Sequence, residues 1–138
     1  MQDRFKFRFY DKDKKIMIKP SSEMSDTEWK NVCTTYGENE WWWCIEAGMP
    51  TIFEYFDTNE YDKKDFVIMQ CTGLKDKNSK LIYEGDILNY SCLPGYSDIY
   101  TCTFNNGSFL IGGLLISNTH LKSEVIGNIY ENPELLEV

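Results

Sequence analysis

A chain of 138 residues with 42% hydrophobic and 15% aromatic side chains is long enough to bury one core or two small ones. It has no uncharged apolar run approaching the ~18 residues of a membrane-spanning helix, and Met1-Gln2-Asp3-Arg4 lacks the apolar core of a secretory signal, so a cytoplasmic protein with no membrane partner is expected. A net charge of −8 repels a phosphate backbone and disfavours non-specific nucleic-acid binding.

Four Trp, nine Tyr and eight Phe favour strands over a helical bundle, because these side chains suit a pleated, half-buried surface. The first strand is visible in Phe5-Lys6-Phe7-Arg8-Phe9-Tyr10. Period-two alternation puts Phe5, Phe7 and Phe9 on a core face and Lys6 and Arg8 on a solvated one. Asp11 to Lys15 turns the chain and Ile16-Met17-Ile18 returns. Ser25-Asp26-Thr27-Glu28 has the spacing of a capping box, and Trp29, Val32 and Cys33 follow at helical spacing, which predicts a short helix from about 26 to 35.

Trp41, Trp42 and Trp43 are consecutive, so in a strand Trp42 points opposite to the other two. One of the two faces then presents large aromatic area, to be covered within the chain or by a partner subunit. This run is the candidate interaction surface. Thr51 to Phe56 reads as another strand, and the polar stretch from Asp57 to Lys64 as a linker. Charge is divided unevenly: residues 1–20 carry net +4, residues 21–65 net −8 and residues 66–138 net −4.

Phe66 to Thr72 reads as a strand that leaves sharply at Gly73, and Lys75 to Lys80 as a polar reversal. Leu81-Ile82-Tyr83 returns, Gly85 bends it, and Ile87 to Tyr90 continues. Ser91 to Ser97, with Pro94-Gly95, is expected as a loop. Asn105-Asn106-Gly107 between Asp98–Phe104 and Ser108–Ile111 predicts a hairpin with a type I′ turn. Leu114-Leu115-Ile116 and Val125 to Tyr130 supply the last strands. About six short strands fit a small barrel of SH3-like type. The expected fold is therefore mostly β: an N-terminal β-rich subdomain with a short helix over 1–65, and a C-terminal SH3-like barrel over 66–138.

Three blocks together resemble the YopX family of phage and prophage proteins. The central one is Met69-Gln70, Thr72 to Asn78, Lys80 and Ile82-Tyr83-Glu84-Gly85-Asp86-Ile87; Phe7 to Asp11 with Lys14 to Met17 opens the pattern, and Glu124 to Leu136 closes it. Within these blocks Gly73, Asp76, Tyr83, Gly85, Asp86, Gly127 and Tyr130 are expected to be structural. Tyr10, Cys71 and Ser79 replace residues more usual in the family. The resemblance implies a mostly β fold, a phage origin and a tendency to assemble. It supplies no catalytic residues.

The residues themselves suggest little chemistry. No nucleotide-binding, serine-hydrolase or zinc-protease motif is present. Five cysteines, Cys33, Cys44, Cys71, Cys92 and Cys102, form no Cys-x-x-Cys pair, and with His120 as the single histidine neither a zinc site nor any other cofactor is expected. Reduced thiols, mostly buried, are the expectation. Glu84 and Asp86, two apart on a strand, could share a face as a carboxylate pair, or form turn-associated salt bridges to Lys75, Lys77 or Lys80. The expected function is non-enzymatic: a self-associating, homo-oligomeric interaction module binding a host or phage protein, one variant being an acidic surface that imitates DNA. A nucleic-acid-binding barrel that stacks bases on aromatic rings is the alternative.

Overall fold

The alternating stretch near the N-terminus forms strand β1, Phe7–Asp11, in a computed structural model that describes residues 6–20, 23–36 and 66–136. It pairs antiparallel with β2, Ile16–Ile18, setting Phe9 opposite Ile18 and Asp11 opposite Ile16. Asp11 builds the turn between them. Its Oδ1 accepts the N–H groups of Asp13 and Lys14, both at 3.0 Å, and its carbonyl accepts Lys15 N–H at 2.7 Å. Arg8 is buried, not solvated as the alternation implied. A period of two sorts side chains between two faces but does not say whether the second face is covered.

The capping box forms as its spacing requires. Ser25 Oγ accepts Glu28 N–H at 3.2 Å and Glu28 Oε1 accepts Ser25 N–H at 2.9 Å, starting helix α1 over Asp26–Tyr36. Val32, Trp29 and Cys33 then face a core made with Phe9, Ile18 and Phe66. Burial of each large apolar side chain there contributes about 1.5–3 kcal/mol.

Strand β3, Phe66–Lys75, does not stop at Gly73 as expected. Gly73 instead takes φ 80° inside the strand, and the pairing with β4, Leu81–Tyr83, shifts between Cys71 and Lys75. This is a bulge. Thr72 stitches it closed by donating its hydroxyl to Ile82 O at 2.8 Å while accepting Leu74 N–H at 3.1 Å.

The rest of the chain is a meander: β5 Asp86–Leu93, β6 Tyr96–Asn105, β7 Ser108–Ile111 and β8 Leu114–Leu115. A short helix α2, Ile116–Thr119, and a 3-10 turn, His120–Lys122, lead into β9, Ser123–Asn128. Two expectations are corrected. The segment Ser91 to Ser97 is mostly strand with only Pro94-Gly95 between β5 and β6, and Ile116 begins a helical turn instead of prolonging β8. The Asn-Gly hairpin is as predicted, with Asn106 at φ 52° and Gly107 at φ 80°, both positive as a type I′ turn requires.

The fold is mostly β, with two antiparallel sheets ordered β2-β1-β3-β4 and β8-β7-β6-β5-β9. The chain divides into two compact units, one within Phe5–Met69 and one holding Gln70–Val138. The second has its own core of Ile82, Leu88, Cys102, Ile111 and Ile116, with Leu74, Tyr90, Tyr100, Phe109 and Val125 packed around it.

Candidate interaction surface

Within the second unit, Asp76 and Gly85 bond to β9 and the residue just after it, and Gly127 lies on β9 itself. Asp76, 3% exposed, accepts Asn78 N–H at 2.8 Å and Lys80 N–H at 2.9 Å on Oδ1, and Val125 N–H at 2.8 Å on Oδ2. One carboxylate thus forms the β3–β4 loop and ties it to β9. At the β4–β5 turn, Asp86 Oδ2 accepts Tyr83 N–H at 2.8 Å. Gly85, at φ 88°, donates its N–H to Cys102 O at 2.8 Å and accepts Ile129 N–H at 3.0 Å. Just beyond β9, Asn128 Oδ1 accepts the N–H groups of Tyr130 and Glu131, and Asn132 Oδ1 accepts Asn128 N–H at 3.2 Å. A Cβ on Gly127 would stand 2.6 Å from that same Asn132 oxygen. These groups are occupied in holding backbone.

Outward-facing apolar side chains occur at Phe104, Leu114, Leu115, Leu121 and Leu136, and at the other end of β5 and β6. There β5 pairs with β9 only as far as Tyr90, and β6 pairs with β7 only from Cys102 onward. The hairpin beyond is a two-stranded ribbon, held at its tip by Ser91 Oγ donating to Tyr96 O at 2.8 Å. Leu93, Tyr96 and Ile99 are 63%, 57% and 47% exposed. On one face, Tyr96, Asp98 and Tyr100 follow one another at strand spacing, with Tyr90 directly across from Asp98 and Leu88 across from Tyr100.

Asp98 is the hub of that face. The Tyr96 hydroxyl donates to its Oδ2 at 2.7 Å and the Tyr100 hydroxyl to the same oxygen at 3.4 Å, which leaves Oδ1 outside both bonds. The hydrogen bond to Asp98, and then its charge, push the Tyr96 phenol above its ordinary value. Partial burial, then Asp98, push Tyr100 the same way. Partial burial, then the Cys92 thiol, raise Tyr90. All three are neutral donors at neutral pH. The Tyr100 ring lies over Gly112, where a Cβ would be 2.6 Å from Cδ1. The arrangement is an aromatic platform fixed around one carboxylate.

Trp41, Trp42 and Trp43, the surface expected from sequence, lie outside the described residues. Glu84 and Asp86 do not form a carboxylate pair on a strand face: Glu84 sits in the turn, and Asp86 is buried on Tyr83 N–H. Lys77 pairs with Glu124 at 3.7 Å. His120 is half-buried in the 3-10 turn, with Nδ1 2.7 Å from Lys75 O, so the Nδ1-protonated tautomer makes that bond. Of the described cysteines, Cys71 and Cys102 are buried and Cys92 is exposed; none of the four is in a disulfide. Among the described residues no three His, Cys, Asp or Glu side chains group as a metal site, and no helix is long and apolar enough to cross a membrane. The platform was not singled out from sequence, although Tyr-x-Asp-x-Tyr on a strand carries the signal.

A mostly β chain whose distinctive residues latch its last strand to the start of a meander is thus the class of protein defined by fold and site. The chain belongs to the YopX family: the family model described as "YopX protein" matches residues 6–137. It is also similar to the crystal structure of protein EF1440 from Enterococcus faecalis, with a TM-score of 0.57 and 25% identity over 96% of this chain and 97% of that one. No curated protein matches.

Proposed function

We propose that this chain is a phage- or prophage-derived, non-enzymatic interaction module that works in the host cytoplasm, self-associates, and binds a host or phage protein. The observation that carries the reading is the outward end of the β5–β6 hairpin, where Leu93 and Tyr96 present apolar and aromatic area beyond the paired stretches of β7 and β9, with Ile99 exposed nearby. We read the second unit as an SH3-like barrel. Its order β9-β5-β6-β7-β8 is a four-strand meander with the fifth strand returned beside the first, and a 3-10 turn precedes that last strand.

Nucleic-acid binding is the weaker reading. Between Lys80 and His120 the sequence has no Lys, Arg or His, so the ribbon lacks the cations that draw a phosphate backbone. The test is affinity capture of tagged protein from host lysate, with and without nuclease, beside light-scattering mass of the pure protein. A nuclease-resistant protein at stoichiometric level and a multimeric mass are expected. A monomer with an empty capture defeats the proposal, and nuclease-sensitive recovery replaces it with nucleic-acid binding.

A further inference from the structure

We infer that the face formed by Tyr96, Asp98 and Tyr100 is a docking site for an arginine side chain of a partner protein. The inference rests on the interaction-module reading and gives the partner its chemistry. Three features point to a cation. The only ionised groups in the sequence between Lys80 and His120 are Glu84, Asp86 and Asp98, all acidic, and Asp86 is buried on Tyr83 N–H. Asp98, half-exposed, is therefore the ionised group of the ribbon face. Its two tyrosine partners both donate to Oδ2, so Oδ1 stays open to a further N–H donor.

The second feature is the aromatic surface around the carboxylate. Phenols held by their hydroxyls on Asp98 are anchored at one edge, which leaves ring faces for a flat cation. Tyr96 is more than half exposed and Tyr100 is seated on Gly112, so one ring is accessible and the other is fixed from below. The third is the choice between cations. A guanidinium is planar, stacks on tyrosine and presents several N–H donors to one carboxylate oxygen, whereas an ammonium is a compact, strongly hydrated point charge. The geometry suits arginine over lysine. The chain's negative charge supplies long-range attraction of the same sign.

The experiment is a titration of the isotope-labelled full chain with end-blocked Gly-Gly-Arg-Gly-Gly, followed by amide NMR, with the lysine and citrulline versions of the peptide as comparisons. Saturable shifts centred on Tyr96 to Tyr100, weakened by salt, are expected for the arginine peptide. Asp98→Asn should weaken them about tenfold or more, and Tyr96→Ala severalfold, while Tyr96→Phe, which keeps the ring, should lose less. Tyr96 is exposed, so its variants retain the fold, and unchanged amide shifts in the rest of the spectrum verify this. The inference is overturned if the citrulline or lysine peptide binds equally well, if Asp98→Asn binds as the parent does, or if no saturable shift occurs. It is separable from the broader reading. A stoichiometric partner captured equally by the parent and by Asp98→Asn overturns the arginine site and leaves the module, whereas specific arginine binding with an empty capture does the reverse.

Discussion

Asp76 Oδ2 accepts the backbone N–H of Val125 at 2.8 Å, across 49 positions of sequence. The same carboxylate holds two N–H groups of its own loop, so one side chain satisfies three backbone donors, two in that loop and one in a strand remote in sequence. Asp76→Ala should destabilise the second unit by about 2–4 kcal/mol, since each lost acceptor strands a partly buried donor. Asp76→Asn, which keeps one acceptor oxygen, should fall between. Urea unfolding of the three proteins checks the order.

Gly127 and Asn132 compete for one space. Gly127→Ala should cost about 1–3 kcal/mol because its methyl group displaces the Asn132 side chain that caps Asn128. The two substitutions should therefore be non-additive: adding Asn132→Ala to Gly127→Ala should cost less than Asn132→Ala does alone. A thermal double-mutant cycle measures the difference.

Gly112 supports the Tyr100 ring from beneath at φ 56°, a backbone conformation that side chains resist. Gly112→Ala should cost about 1–2 kcal/mol and move the ring off its seat. Altered chemical shifts of Tyr100 and Asp98, with the β5–β6 pairing retained, are the expected signature.

The first turn of α1 should show a pH dependence of definite sign. Partial burial raises the Glu28 carboxyl, but the hydrogen bonds from Lys19 and Ser25 outweigh it and hold the group below its ordinary value of 4.5. Its contribution is thus complete above that unfolded value and is lost as pH falls through the lower folded one. Comparing Glu28→Gln with the parent from about pH 6 to about pH 3, the stability difference should shrink on acidification. Ser25→Ala should cost about 1 kcal/mol by denaturant unfolding at neutral pH.

What could be read from the sequence was local. Ser25 and Glu28 are three residues apart, and Asn106-Gly107 sets its own turn, so the chemistry that decides each lies within one window. Gly73 misled because glycine ends a strand and kinks one equally well; Thr72, bonding across to Ile82, settled it as a bulge. Pro94-Gly95 and its serines suggested a long loop, but Ser91 Oγ closes the ribbon against Tyr96 and needs only two residues between strands. The role of Asp76 was invisible beyond its loop, since Val125 is remote. Asp98 and Tyr100 resembled any half-buried strand and Tyr96 fell in the expected loop, so the sequence did not show the convergence of two hydroxyls on one oxygen.

The place of β9 beside β5 sets an order of assembly. Strands β5 to β8 can zip through successive short hairpins, each closing a small loop soon after its residues are made. The pairing of Asp86–Tyr90 with Ser123–Asn128 must wait for everything between, and carries the largest loop-closure cost in the sheet. Until then one edge of β5 offers unpaired backbone to any neighbouring strand. The bonds from Asp76 and Gly85 to Val125 and Ile129 therefore guard the slowest step, and a chain ending before Ser123 is expected to aggregate through that edge.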